Sequence, residues 1–236
     1  MVKMKQDNEL DELAFKISCF GFSLKLEAGL ELSDWGGGNY RVPYKGHIYN
    51  SYGELDVSTH EAVGEIRFSL LHVGHAQKQG IDTPEFCDDC NCVEIENIFE
   101  PNEVYLTPIF RNLLPTNHLH PDILVIRQLE ILPDYRGMGL GEKMLKLLLF
   151  HFKYSCGMLI FTVEPSQFAS VSRRFDCGPV EPLALNAFTD DEELAYLKLK
   201  NYFSKMGFQE AVGINSNLMF ICTEDREVHP REFGVD

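Results

Sequence analysis

The chain has 236 residues, a formal net charge of −15 and a hydrophobic content of 44 %. That length can bury one sizeable core, with an extension at most. The acidic balance works against general binding to nucleic acid or to an anionic membrane surface, and no apolar run reaches the length of a bilayer span.

The N-terminal "MVKMKQDNELDEL" has lysines with no apolar core behind them, so it reads as lacking a signal peptide and the protein as cytoplasmic. Residues 13–28 alternate Phe15, Ile17, Cys19 and then Phe22, Leu24, Leu26, the period of a half-buried strand interrupted at Gly21. The glycines and tyrosines of "DWGGGNYRVPYKGHIYNSYG" read as an irregular loop, and "AVGEIRFSLLHVGHA" as a second strand. "PNEVYLTPIFRNLL" reads as helical, broken or kinked at Pro108.

"ILVIRQLEILP" is a nearly continuous apolar strand, as expected of a central strand buried on both faces. Leu140, Met144, Leu145, Leu148 and Phe152 then recur at helical spacing. "MLIFTVEP" is a short strand, and "DDEELAYLKLKNYFSKMGF" a helix with acid at its start and Gly207 at its end. "LMFICTE" is a last strand, and "DREVHPREFGVD" a tail. This order implies a mixed sheet covered by helices. Residues 1–80 read as strands and loops of the same domain, and residues 81–236 as the core with its tail.

Seven cysteines without an export signal read as reduced thiols. Cys87, Cys90 and Cys92 could begin a zinc site with His118 or His120 as fourth ligand, but no second cysteine pair completes it and no metal is expected. Residues 82–103 hold eight carboxylates and residues 176–193 six more, neither with a Lys or Arg. Carboxylates at the mouth of a site would concentrate cations and repel a phosphate chain. Solvated loops are the plain alternative.

"RGMGLGEKMLKLLLF" places Gly137, Gly139 and Gly141 where each weakens the helix it opens. A Walker loop would need Gly-Lys-Ser/Thr, which Gly141, Glu142 and Lys143 do not supply. A dinucleotide fingerprint needs Gly-x-Gly-x-x-Gly and an acid about twenty residues on; Glu164 meets the distance but the glycine spacing does not fit.

A strand ending at Pro133, followed by Arg136-Gly137-Met138-Gly139-Leu140-Gly141 and a helix, resembles the first signature of the GCN5-related N-acetyltransferase (GNAT) superfamily. "NYFSKMGF" ahead of a strand is similar to its second. The resemblance covers about residues 123–222. It implies an α/β (α+β) fold with a mixed, mostly antiparallel sheet, splayed central strands and flanking helices. It also implies acetyl-CoA as co-substrate, with its pyrophosphate at Arg136, Gly137, Met138, Gly139, Leu140, Gly141 and Glu142 and its pantetheine arm along Leu129, Glu130 and Ile131. Amides at a helix N-terminus, bared by glycine, suit an anion of that kind.

Acyl transfer from a thioester to an amine needs a proton acceptor, a polarised carbonyl and a departing thiolate. The matching position for a Glu that some family members carry is Val125, which leaves Glu164 and, further along the strand, Glu130 as bases. The usual Tyr four residues before the Gly of Gly-Phe is Phe203 here, with Tyr202 beside it as a substitute acid. Two readings follow. One is an N-acetyltransferase acting on a small-molecule or peptide amine, cationic in view of the acidic segments, with neither nucleic acid nor membrane as partner. The other is an acyl-CoA-binding module without catalysis.

Overall fold

The alternating segments come together, in a computed structural model, as an eight-stranded sheet with apolar cores on both faces. The structure describes residues 15–19, 22–28, 40–50, 62–115, 120–168, 184 and 188–223. The expected tail, His118 and most of residues 176–193 lie outside the described residues.

The first expected strand, residues 13–28, is two strands, β1 (Phe15–Cys19) and β2 (Phe22–Ala28), which pair antiparallel. The next segment corrects the sequence reading, because Arg41–Asn50 is not a loop but a ten-residue strand, β3. Its signal was obscured by Pro43 and Gly46. Val42, Tyr44 and Ile48 nonetheless share one face and one core. The His72 amide donates to the Tyr40 carbonyl, so the even residues of β3 bond towards its next neighbour, β4 (Ala62–Leu71). Pro43 therefore turns its missing N–H towards β2, one residue beyond the last β2 partner, where a proline is tolerated.

Two short helices, α1 (Val73–Gln79) and α2 (Thr83–Asp89), and a 3-10 turn at Val93–Ile98 follow. The helix expected across residues 101–114 is corrected to a hairpin, β5 (Phe99–Glu100) and β6 (Glu103–Leu106), followed by α3 (Pro108–Arg111). Pro108 opens α3 rather than breaking it, with the Thr107 hydroxyl capping the Phe110 amide.

The remaining elements follow the sequence closely: β7 (Ile123–Ile131), α4 (Leu140–Phe152), β8 (Met158–Thr162), α5 (Glu192–Lys205), β9 (Gln209–Ala211) and β10 (Asn215–Cys222). The strand order is β1-β2-β3-β4-β7-β8-β10-β9. Among the described strands only β7 and β8 run parallel. Leu124, Ile126, Leu159 and Phe161 face α4 and α5, while Ile123, Val125, Met158 and Ile160 face α1 and α2. This is the mixed, mostly antiparallel, helix-flanked sheet that the family resemblance implies. It also removes the dinucleotide reading, which requires a parallel doubly wound sheet.

The parallel pair is short. Ile123–Ile126 pair with Met158–Phe161, and beyond Ile126 β7 keeps only its β4 partner. The β4–β7 register slips at this point, because Ile126 and Gln128 oppose the consecutive residues Phe68 and Arg67. Arg127 is thus the extra residue of a bulge, which bends the strand where β8 leaves it. The two central strands splay from here.

Gly64 holds β4 against the splayed half of β7. A Cβ there would lie 2.6 Å from the Glu130 carbonyl oxygen and 2.9 Å from Ile131 Cδ1. Gly64→Ala is expected to destabilise the protein by about 1–3 kcal/mol, since a backbone oxygen cannot retreat without loosening the ladder. The check is a fall in thermal midpoint with the far-UV spectrum unchanged.

Candidate functional site

The splay leaves one edge of β7 turned to a cleft. The Leu132 amide donates to the Val63 carbonyl, which makes residues 132, 130 and 128 bond towards β4. Alternation then points the amides and carbonyls of Leu129 and Ile131 the other way, to the side β8 has left. On the opposite wall, the Val163 amide donates to the Asn217 carbonyl of β10, so the backbone of Thr162 and Glu164 faces the cleft. Of the three residues expected to offer backbone to a pantetheine arm, Leu129 and Ile131 face the cleft and Glu130 faces β4.

β7 passes through a 3-10 turn at Pro133–Tyr135 into the glycine segment. Gly137 and Gly139 both have φ +74, a left-handed conformation that L side chains rarely adopt. A Cβ on either would meet nothing within 4 Å. Gly139 is the N-cap of α4 and supplies no side-chain cap, so the amides of Leu140, Gly141 and Glu142 begin the helix without intrahelical partners. Gly141 is required for a different reason. A Cβ there would lie 2.7 Å from the Tyr202 hydroxyl and 3.5 Å from Leu129 Cδ2.

Arg136 is fixed beside this turn. Its Nε donates to the Ile131 carbonyl at 2.9 Å, and the guanidinium lies 4.6 Å from the Phe188 ring centroid. Burial works against its charge, and Glu130 works for it. Phe188 lies in a segment that reads as loop, and only the fold brings it here.

Glu130 belongs to a charged strip across β3, β4 and β7 on the face opposite α4. Glu65 accepts from Arg67 at 2.5 Å and pairs with Lys45 at 3.3 Å. Burial holds the Glu130 carboxyl above the ordinary carboxylate range, with Glu65 adding to the effect. A hydrogen bond from Gln128 and the charges of Arg67 and Arg136 oppose it. Such a group suits a proton acceptor, because its basicity exceeds that of a free carboxylate. Glu164 follows β8 on the far wall and is partly buried.

Tyr202 stands elsewhere. Its hydroxyl meets Gly141 and the Glu142 amide at the start of α4, so Tyr202 and Glu130 lie on opposite faces of β7. Burial and the Glu142 carboxylate raise its pKa. Phe203, at the usual tyrosine position, is buried with its ring 4.2 Å from Phe161 and 5.5 Å from Phe208. Val125 is likewise buried, on the face of α1 and α2.

The cysteine motif packs as core. Cys87, Cys90 and Cys92 are all buried. The hydrogen bond that the Cys87 thiol donates to Cys92, together with burial, pushes the Cys87 thiol up. The Cys87 contact lowers the Cys92 thiol, but its contact with Cys90 and burial carry it to about 12. Among the described residues no group of three or more His, Cys, Asp or Glu is arranged to hold a metal ion, and no helix is long and apolar enough to cross a membrane.

No protein-family model and no curated protein matches the sequence. Solved structures do. A mutant of KacT matches with a TM-score of 0.39 and 13 % identity, over 85 % of this chain and 95 % of that one. A KacTA–DNA complex matches with a TM-score of 0.38 and 12 % identity, over 85 % and 93 %. A mutant AtaT toxin bound to acetyl-CoA and the C-terminus of the antitoxin AtaR matches with a TM-score of 0.37 and 11 % identity, over 85 % and 93 %.

Two of these were solved with DNA or with the C-terminus of an antitoxin, which corrects one expectation: a small-molecule, cationic amine acceptor with no nucleic-acid partner is not carried forward. The carboxylates behind it have other uses in the fold. Asp82 caps α2, Asp191 caps α5 and Glu94 pairs with Arg127.

Proposed function

We propose that the protein is an acetyl-CoA-dependent N-acetyltransferase whose co-substrate lies in the splay between β7 and β8. One observation carries this reading. The β7 edge freed by the splay leads directly into a turn with two left-handed glycines that opens a 13-residue helix, with Arg136 beside it. A strand edge, bare helix amides and a fixed cation in that order suit a ligand with a peptide-like arm at one end and a pyrophosphate at the other.

In this reading the Leu140 and Gly141 amides and the Arg136 guanidinium hold the pyrophosphate, with Gly137, Met138, Gly139 and Glu142 completing the turn around it. The arm bonds to Leu129 and Ile131 as an added strand would. The Ile131 carbonyl is already engaged by Arg136, which leaves its amide for the ligand. Tyr202 borders the arm where it meets α4. The acceptor amine gives its proton to Glu130, with Glu164 across the cleft as the second candidate. The thiolate departs without a side-chain acid, which its moderate basicity allows.

A non-catalytic acyl-CoA-binding module is the second reading, favoured by Phe203 and Val125, both buried where the family pattern carries Tyr and Glu. Two measurements separate the readings. Acetyl-CoA should raise the thermal midpoint, and thiol release from it with a chemically varied amine panel should exceed the background rate. Binding without acceptor-dependent thiol release identifies the module. Failure of acetyl-CoA to bind overturns both.

A further inference from the structure

Thr162 is the last residue of β8, one position beyond Phe161, its final partner on β7. Its cross-strand partner is Leu218, which lies in the core under α1 and α2, so the Thr162 side chain shares that face. Gln128 and Glu130 lie on the same face, because Leu129 and Ile131 between them pack on the α4 side. The Thr162 hydroxyl oxygen is buried and has no hydrogen-bond partner among the described residues.

A strand position between the buried Phe161 and Val163 has no packing need for a hydroxyl. Valine has the same shape and a higher preference for a pleated, half-buried surface. A buried hydroxyl left unbonded costs free energy comparable to a lost hydrogen bond. The fold keeps this one at the vertex of the V, where the two walls meet.

The vertex has a chemical meaning if acyl-CoA binds as proposed above, and this inference rests on that reading. The pyrophosphate sits at the mouth, beyond Ile131. The arm must then run from Ile131 towards Arg127, and its thioester ends deepest, beside Thr162. We propose that the Thr162 hydroxyl donates a hydrogen bond to the thioester carbonyl oxygen and makes the site selective for an acylated over a free thiol. As the amine nitrogen adds to the carbonyl carbon, negative charge grows on that oxygen. The C–S bond then breaks, the thiolate leaves with the electron pair, and the amine proton passes to the carboxylate base. Thr162 keeps its proton throughout and acts by strengthening its hydrogen bond as charge develops.

The test compares acetyl-CoA with coenzyme A on wild type, Thr162→Val and Thr162→Ser. Thr162→Val should weaken acetyl-CoA binding about tenfold, the worth of one hydrogen bond, and leave coenzyme A unchanged. Without ligand its thermal midpoint should be no lower than wild type. Thr162→Ser should restore the preference for the acylated ligand. In infrared difference spectra, the ¹³C-carbonyl band of bound labelled acetyl-CoA should move to higher wavenumber in Thr162→Val and return in Thr162→Ser. Equal affinities and an unmoved band in Thr162→Val, with wild type binding acetyl-CoA, would overturn the role of Thr162 alone. Wild type binding neither ligand would overturn the acyl-CoA reading with it.

Discussion

Gly139→Glu should abolish the stabilisation that acetyl-CoA gives the wild type. A ligand at a hundred times its dissociation constant stabilises a protein by about 2.7 kcal/mol, which in a chain of this size is a rise of about 5–10 °C in thermal midpoint. The substitution acts on both parts of the anion site. It puts a carboxylate over the Leu140 and Gly141 amides, where it meets the helix dipole as a bound phosphate would, and repels the ligand. It also forces a side chain into a left-handed backbone at φ +74, at a cost of about 1–2 kcal/mol. Loss of ligand response could therefore reflect local strain alone, and Gly137→Ala is the control. It imposes the same strain at a second left-handed position without adding charge. If Gly137→Ala keeps most of the acetyl-CoA shift and Gly139→Glu loses it, the anion site lies at the start of α4. If Gly139→Glu keeps the full shift, the site is elsewhere.

The elements that carry this site differ in how far the sequence discloses them. The α4 turn is legible because its information is local. Glycines at 137 and 139, a following apolar stripe and a preceding apolar strand lie within thirty residues of one another, and each has a direct backbone meaning. The strand β3 was not legible, because its alternation is broken by Pro43 and Gly46, and only the β4 pairing makes sense of both. The splay itself leaves no local trace. It arises from a bulge at Arg127 and from where β8 stops pairing, and the side chain that anchors the bulge reaches Glu94 and the Asn91 carbonyl more than thirty residues away. The candidate acid and base were nameable by type and approximate position. That Tyr202 and Glu130 lie on opposite faces of β7 depends on strand parity after the bulge, which a sequence does not display. Thr162 carried no signal, since a β-branched residue in an apolar strand is what packing alone would select.

Glu130→Gln tests the chemistry, and its value is that rate and stability should move in opposite directions. If Glu130 is the base, the variant should lose about 10²–10⁴-fold in kcat. Wild-type kcat should rise with pH through a value above the usual range of a glutamate, because burial holds the carboxyl protonated there, and the variant should lack that limb. The sign for stability follows from the same shift. The folded carboxyl binds its proton more tightly than the unfolded one, so between the two pKa values the folded state carries more protons. Stability then falls as pH rises through that window and stays lower above it. A glutamine cannot ionise, so the variant should lose this slope and be at least as stable as wild type at pH 8. Glu65 and Arg67 from β4, Gln128 from β7 and Arg136 from the turn before α4 act on the group, and Lys45 and His47 of β3 pair with Glu65. Removing its charge leaves Glu65 to pair with Lys45 and Arg67 as before. A residue serving only that ion-pair strip would show the reverse, a rate near wild type with lost stability at neutral pH. Glu164→Gln completes the comparison. A large loss of kcat and of the pH limb in that variant, with Glu130→Gln close to wild type, would move the base to the β8 wall of the cleft and leave the acyl-CoA site where it is.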